Sequence, residues 1–170
     1  MREASFKRMK KISSEISYDI YDSSEELSAD DQMLLKEAIN ATGSAYAPYS
    51  NFHVGAAVLM ENGVVVRGSN QENAAYPSGL CAERVALFSA SAQYPGIEIK
   101  AIAITAQFND SKKLLPVSPC GDCRQVMAEY EHRFNANIRL IMTGENGKVV
   151  VVPNIKTLLP LMFNSESLKK

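Results

Sequence analysis

The stretch "CAERVALFSA" sets a thiol, a carboxylate and a guanidinium (Cys81, Glu83 and Arg84) at the head of a run that otherwise reads as an apolar helix. A second stretch, "SPCGDC", places Cys120 and Cys123 at i and i+3 where another helix begins. Residues at that spacing share a helix face with Cβ atoms ~5–6 Å apart, so two thiolates there can grip one tetrahedral ion at Zn–S distances near ~2.3 Å. Pro119 suits the entry to a helix, and the exposed N–H groups of a first turn favour thiolate over thiol. The chain has only 3 cysteines. An odd count argues against a disulfide framework and directs attention to metal or redox chemistry.

If Cys81 joins the C-x-x-C pair, an ion has three sulfur ligands. Structural zinc takes four protein ligands, whereas catalytic zinc takes three and leaves the last position to water, whose pKa it lowers toward ~7. The 2 histidines are His53, inside a β-rich run, and His132, which follows Cys123 by about two and a half helical turns. Glu83 is held close to the Cys81 sulfur but, at ~200° around a regular helix, is not aligned to be a ligand. That placement suits general acid/base work, although an acid in a first turn also favours the helix dipole. On the residues alone a catalytic zinc site, a structural site completed by His132 and a redox pair all stay open. The redox use leaves Cys81 and Glu83 without a role.

The elements that must position these groups follow from periodicity. "SADDQMLLKEAINATGSA" opens with Ser28 and Asp31 in capping-box spacing, carries Leu34, Leu35, Ala38, Ile39 and Ala45 on a helical stripe, and stops before Pro48. "FHVGAAVLM" and "VVVRGSN" flank Asn62-Gly63, a hairpin signal, and "NIRLIMTG" and "ENGKVVVV" repeat it. "EIKAIAITAQF" reads as a buried strand, "CGDCRQVMAEYEHRF" as a helix, and a short helix is expected near "IKTLLPLMF". The order α-β-β-α-β-α-β-β-α predicts an α/β fold, three-layer α/β/α, on a mixed five-stranded sheet. Residues 1–27 are an N-terminal extension of unknown role, in which Ile16, Tyr18 and Ile20 alternate as on an edge strand. Residues 28–170 form a single catalytic domain.

Bulk properties narrow the partner. With 170 residues and 46% hydrophobic content the chain suits one globular core. A net charge of -1 lacks the surplus that binding to a nucleic-acid backbone needs, so a small molecule is the expected ligand. No apolar run is long enough for a membrane span, and the basic run Lys7 to Lys11 does not lead into a signal-peptide core. The expected location is the cytoplasm, with no membrane partner.

"CAER" and "PCGDCRQ", with "AYAPYSNFHVGAAVL" and "GSNQENAAY" upstream, resemble the small zinc-dependent cytidine deaminases of the homotetrameric nucleoside branch. Zinc deaminases carry H-x-E and P-C-x-x-C as the general signature, and here Cys81 stands in the histidine position. The resemblance implies one Zn2+ per chain held by Cys81, Cys120 and Cys123, and hydrolytic deamination of free cytidine and deoxycytidine to uridine and deoxyuridine plus ammonia. It implies that Glu83 takes a proton from the attacking water, protonates the pyrimidine at N3 and passes a proton to the departing amine. Phe52 is implied to line the base pocket, Asn70 and Glu72 to bind the sugar, Ala82 to contact the substrate, and Phe163 to enter a neighbouring subunit's site in a homotetramer. Asn70 and Glu72, two apart in an extended segment, also point the same way on simple geometry.

Three thiolates around a divalent ion sum to -1, so an all-cysteine site is the poorer electrophile unless something compensates. Arg84, within one turn of Cys81, can hydrogen-bond its sulfur and draw charge from the ion, and the resemblance supports that tuning role. Arg124 is expected to make structural contacts. Three rivals remain. A blasticidin deaminase should lack the Asn70/Glu72 pair, a polynucleotide deaminase needs a basic, aromatic-lined groove, and a zinc-stabilised binding module needs four protein ligands.

Overall fold

In a computed structural model, residues 10–108, 111 and 113–169 are described. Met1 to Met9, and with them Lys7 and Arg8 of the basic run, lie outside the described residues. The described chain begins with β1 (Asp19–Tyr21) and α1 (Ala29–Ala41), then the hairpin β2 (Phe52–Met60) and β3 (Val65–Ser69). After α2 (Ala82–Gln93) come β4 (Ile99–Phe108), α3 (Gly121–Phe134), β5 (Arg139–Thr143) and β6 (Val149–Val152). The sheet order is β1-β6-β5-β4-β2-β3, with β4 and β5 parallel and every other pair antiparallel.

Strand residues alternate between two cores, which makes three layers. Ala56, Val58, Met60, Ile102 and Ile104 face Ala86, Leu87 and Ala90 of α2 and Met127 and Ala128 of α3. Ala57, Leu59, Ala101, Ala103 and Ile141 face Leu34, Leu35 and Ala38 of α1 on the other side. The expected mixed α/β/α architecture is what forms, and Ser28 caps α1 by accepting from the Asp31 amide at 3.2 Å.

Three local expectations are corrected. The sheet has 6 strands and not five, because β1 adds to the β6 edge through Asp19↔Val151 and Tyr21↔Val149. The alternating Ile16, Tyr18 and Ile20 stay exposed, so β1 is held by its backbone ladder and not by burial of that stripe. Ala45 falls outside α1, which ends at Ala41 and tightens into a 3-10 turn over Thr42–Ser44. The final helix reduces to one 3-10 turn, Ile155–Leu158.

Two packing details matter for the site. A Cβ on Gly68 would lie 2.4 Å from the Ala86 nitrogen and 2.5 Å from the Ala82 oxygen, so only glycine in β3 lets the first turn of α2 sit this close to the sheet. Glu131, on α3, is fully buried. Its Oε1 accepts from the Ile138 and Ile155 amides at 2.8 Å each, and Oε2 accepts from the Lys156 amide at 3.2 Å. One carboxyl group thus ties α3 to the entry of β5 and to the turn that starts the C-terminal segment.

Candidate active site

Cys81 and Cys120 occupy the N-cap positions of α2 and α3, each with extended backbone and no side-chain bond to its own helix. Serine or aspartate would spend its oxygen on a helix amide there; the two thiols are left free to face each other. The Cys81 and Cys120 sulfurs lie 3.8 Å apart, and Cys120 to Cys123 is 3.5 Å. All three sulfurs fall within 4.8 Å of one another. A tetrahedral ion with Zn–S near ~2.3 Å needs sulfurs ~3.8 Å apart, so this group fits zinc.

Among the described residues no His, Asp or Glu joins that group. His132, the candidate fourth ligand, lies outside the group, with its Nε2 paired to Ser165 Oγ at 2.8 Å. The cluster's electrostatics favour a cation. The Cys81 thiol is pulled down to about 5, first by a hydrogen bond from Cys123 and then by Arg84, against the opposing effect of burial. Cys123 is pushed up by that same bond and by its own burial. A divalent ion would take the place of the proton that Cys123 keeps.

Glu83 sits in the first turn of α2 and is 4% exposed. Its carboxyl is raised above its ordinary 4.5, chiefly by desolvation and secondarily by the charge on Cys81. Arg84 bridges the two helix starts, with Nη2 donating to Cys81 Sγ at 3.7 Å and Nη1 3.8 Å from Asp122. Its own pKa is raised, first by the Cys81 bond. Arg124 bonds the Pro119 and Leu158 carbonyls at 2.9 and 3.1 Å, the structural contacts expected of it.

A cleft of ≈ 630 Å³ opens onto this cluster. Cys81, Ala82, Glu83, Arg84 and Cys120 line its floor, and Phe52, Asn70 and Glu72 line its wall. Cys123 lies beneath, buried. Phe52 stacks edge-on against Phe108 with ring centroids 5.6 Å apart, opposite it in the β2–β4 register. Asn70 accepts from the Val54 amide at 2.8 Å and donates to the Phe52 carbonyl at 2.9 Å, which fixes it to β2. Apart from Cys123 beneath the floor, Phe163 is the site residue the sequence pointed to that does not line this cleft; it is 58% exposed, with its carbonyl bonded by Gln125 Nε2 at 2.8 Å.

Residues 28–136 match the family model for the cytidine and deoxycytidylate deaminase zinc-binding region. The chain belongs to that family. It is a hydrolytic deaminase with zinc as its cofactor. Cytidine deaminase from Halalkalibacterium halodurans is 45% identical over 139 residues, 82% of this chain and 98% of the relative. That from Sporosarcina psychrophila is 40% identical over 140 residues, covering 82% and 95%. The crystal structure of cytidine deaminase from Burkholderia pseudomallei, 43% identical, superposes with a TM-score of 0.66 over 77% of this chain and 97% of that one.

Sequence reasoning missed several groups of this deaminase's cleft. Tyr49 and Tyr76 pair edge-on at its mouth, centroids 6.1 Å apart. Ser50, two residues before Phe52, had a readable signal: a serine two positions ahead of a strand's first amide commonly accepts from it, and Phe52 N does bond Ser50 Oγ, at 3.0 Å. Outside the cleft, the buried Glu131 had no such signal, since an acid on an amphipathic helix reads as solvent-facing.

Proposed function

We propose that this chain deaminates free cytidine and deoxycytidine, giving uridine or deoxyuridine and ammonia, in pyrimidine salvage. The observation that carries this reading is a buried Glu83 carboxyl beside three convergent sulfurs at the floor of a cleft. The wall of that cleft bears an aromatic ring, Phe52, and a polar pair, Asn70 and Glu72. Cys81, Cys120 and Cys123 hold the metal, and zinc bound by them supplies the Lewis-acid chemistry that makes water nucleophilic near neutral pH.

The chain's own groups handle the protons. Desolvation keeps the Glu83 carboxyl closer to the operating pH than an exposed glutamate, the condition for efficient transfer in both directions. It accepts a proton as water adds to C4, delivers it to N3, and then carries the remaining proton to the amine as the C–N bond breaks and the C4 carbonyl forms. Arg84 draws charge from Cys81, which offsets the surplus of an all-thiolate ligand set. The Phe52 ring offers an apolar face to the base beside the buried Ala82 backbone.

Asn70 and Glu72 recognise the sugar, an argument against an antibiotic deaminase without that pair. A net charge of -1 and the absence of Trp argue against a polynucleotide substrate. The assembly we propose is a homotetramer with shared sites, because Leu161 and Phe163 are 104% and 58% exposed and a second copy would cover them. Residues 28–170 act as the single catalytic domain, with the first 27 as an extension. The cytoplasm, which keeps thiols reduced, suits the three free cysteines; no helix among the described residues is long and apolar enough to cross a membrane.

The test mixes purified protein with cytidine and follows loss of the cytosine ultraviolet band, with a parallel zinc assay. About one zinc per chain, a falling band and an inert, zinc-loaded Glu83→Gln are expected. A metal-free chain that is still active, or a fully active Glu83→Gln, defeats the mechanism.

A further inference from the structure

The geometry points to Ser50 as a positioning residue that sets the sugar specificity of the cleft by aiming Glu72. The inference rests on the nucleoside reading above and extends it to a residue outside the metal site. Glu72 accepts from the Tyr49 amide at 2.9 Å, the Ser50 amide at 3.3 Å and the Ser50 hydroxyl at 2.5 Å. An ionised carboxylate only accepts, so the Ser50 hydroxyl spends its single proton on Glu72. Its oxygen must then be the acceptor for the Phe52 amide, at 3.0 Å.

Among the described residues, Ser50 is therefore the side chain joined at once to the sugar-facing carboxylate and to the backbone of the base-facing aromatic. A carboxylate offers about four acceptor sites, and three are filled by this loop, so Glu72 keeps one for a ligand. That remaining site takes a donor. A sugar hydroxyl satisfies it, whereas a hydrogen in the same place leaves it without a partner. The Ser50 bond is also the leading reason that Glu72 holds its charge below the ordinary carboxylate range.

With Ser50→Ala the carboxylate loses its shortest tether and regains freedom to turn toward water. Ser50 is exposed, so the substitution opens no cavity in the core. Steady-state kinetics on zinc-loaded wild type, Ser50→Ala and Ser50→Thr, with cytidine and with 3′-deoxycytidine, test the assignment; zinc content and melting temperature are measured on each. Ser50→Ala should raise KM for cytidine about tenfold, equivalent to ~1.4 kcal/mol, with little change in kcat. Its effect on 3′-deoxycytidine should be markedly smaller, and Ser50→Thr, which keeps the hydroxyl, should restore KM. Equal losses on the two nucleosides, an unchanged KM, a loss confined to kcat, or failure of threonine to rescue overturns the assignment. A wild type inert toward cytidine overturns the deaminase reading instead, and does so before any variant is compared.

Discussion

Replacement of Glu131 by alanine and by glutamine separates a hydrogen-bonding role from simple space filling. Alanine removes all three acceptor contacts, two of them to the buried Ile138 and Ile155 amides at 2.8 Å and one to the more exposed Lys156 amide at 3.2 Å. Each buried donor left without a partner costs roughly 1–3 kcal/mol, and the missing side-chain volume adds to it, so Glu131→Ala should cost about 3–5 kcal/mol. Glutamine can keep Oε1 on both buried amides while its NH2 meets the Lys156 N–H donor to donor. That loss is partly relieved by water and should cost about 1–2 kcal/mol. A chain of this size shifts its melting temperature by ~2–4 °C per kcal/mol, which puts Glu131→Ala ~6–20 °C below wild type and Glu131→Gln ~2–8 °C below. Urea or thermal unfolding must be run with zinc at a fixed saturating level, since bound metal itself raises stability. Equal costs for alanine and glutamine, or less than about 1 kcal/mol for alanine, would refute the assignment of these bonds.

Three further outcomes follow from the site. Arg84→Gln should keep its zinc, measured by elemental analysis, and lose about ten- to a hundredfold in kcat, the kinetic equivalent of one charge-assisted hydrogen bond to Cys81; an unchanged rate removes the charge-compensation argument. Gly68→Ala drives a methyl group into the α2 backbone beside Ala82 and Ala86, so it should destabilise by about 1–3 kcal/mol and lower activity through displacement of Glu83; a fully active variant of wild-type stability contradicts that packing. Glu72 lies below its ordinary 4.5, first because of the Ser50 hydroxyl and then the Tyr49 amide. Its charge is therefore present as pH falls through 4.5 and is lost only below that, as pH passes the lowered value. The ratio of KM for cytidine to KM for 3′-deoxycytidine, in which the titrations of Glu83 and of the base cancel, should stay flat across that region, and a loss of that discrimination centred at or above 4.5 would show that the bonds to Glu72 do not hold in solution.

The parts of the molecule legible in the sequence are those where one short segment carries its own physical cause. Cys120 and Cys123 share a helix face by spacing, and Asn62-Gly63 makes its turn by backbone freedom. At the second Asn-Gly turn the positive φ of 56° at Asn146 and 83° at Gly147 is the property these residue types supply. What escaped detection depends on partners distant in the chain. The alternation of Ile16, Tyr18 and Ile20 hinted at an edge strand, but the bounds and partner of β1 could not be read: it is only three residues, two of them exposed and Tyr21 half-buried, paired to the β6 edge. Glu131 is defined by amides that folding delivers, that of Ile155 among them, and the tie of Ser50 to Glu72 by a carboxylate 22 residues along the chain. The convergence of Cys81 with Cys120 belongs to the same class, yet it was predictable. Each caps a helix without spending its sulfur, and a chain with three thiols and no disulfide framework leaves them few uses other than a shared ion. Chemistry that constrains residue type can therefore reveal a long-range contact that periodicity cannot, which is why the metal site could be read from sequence while the loop that aims Glu72 could not.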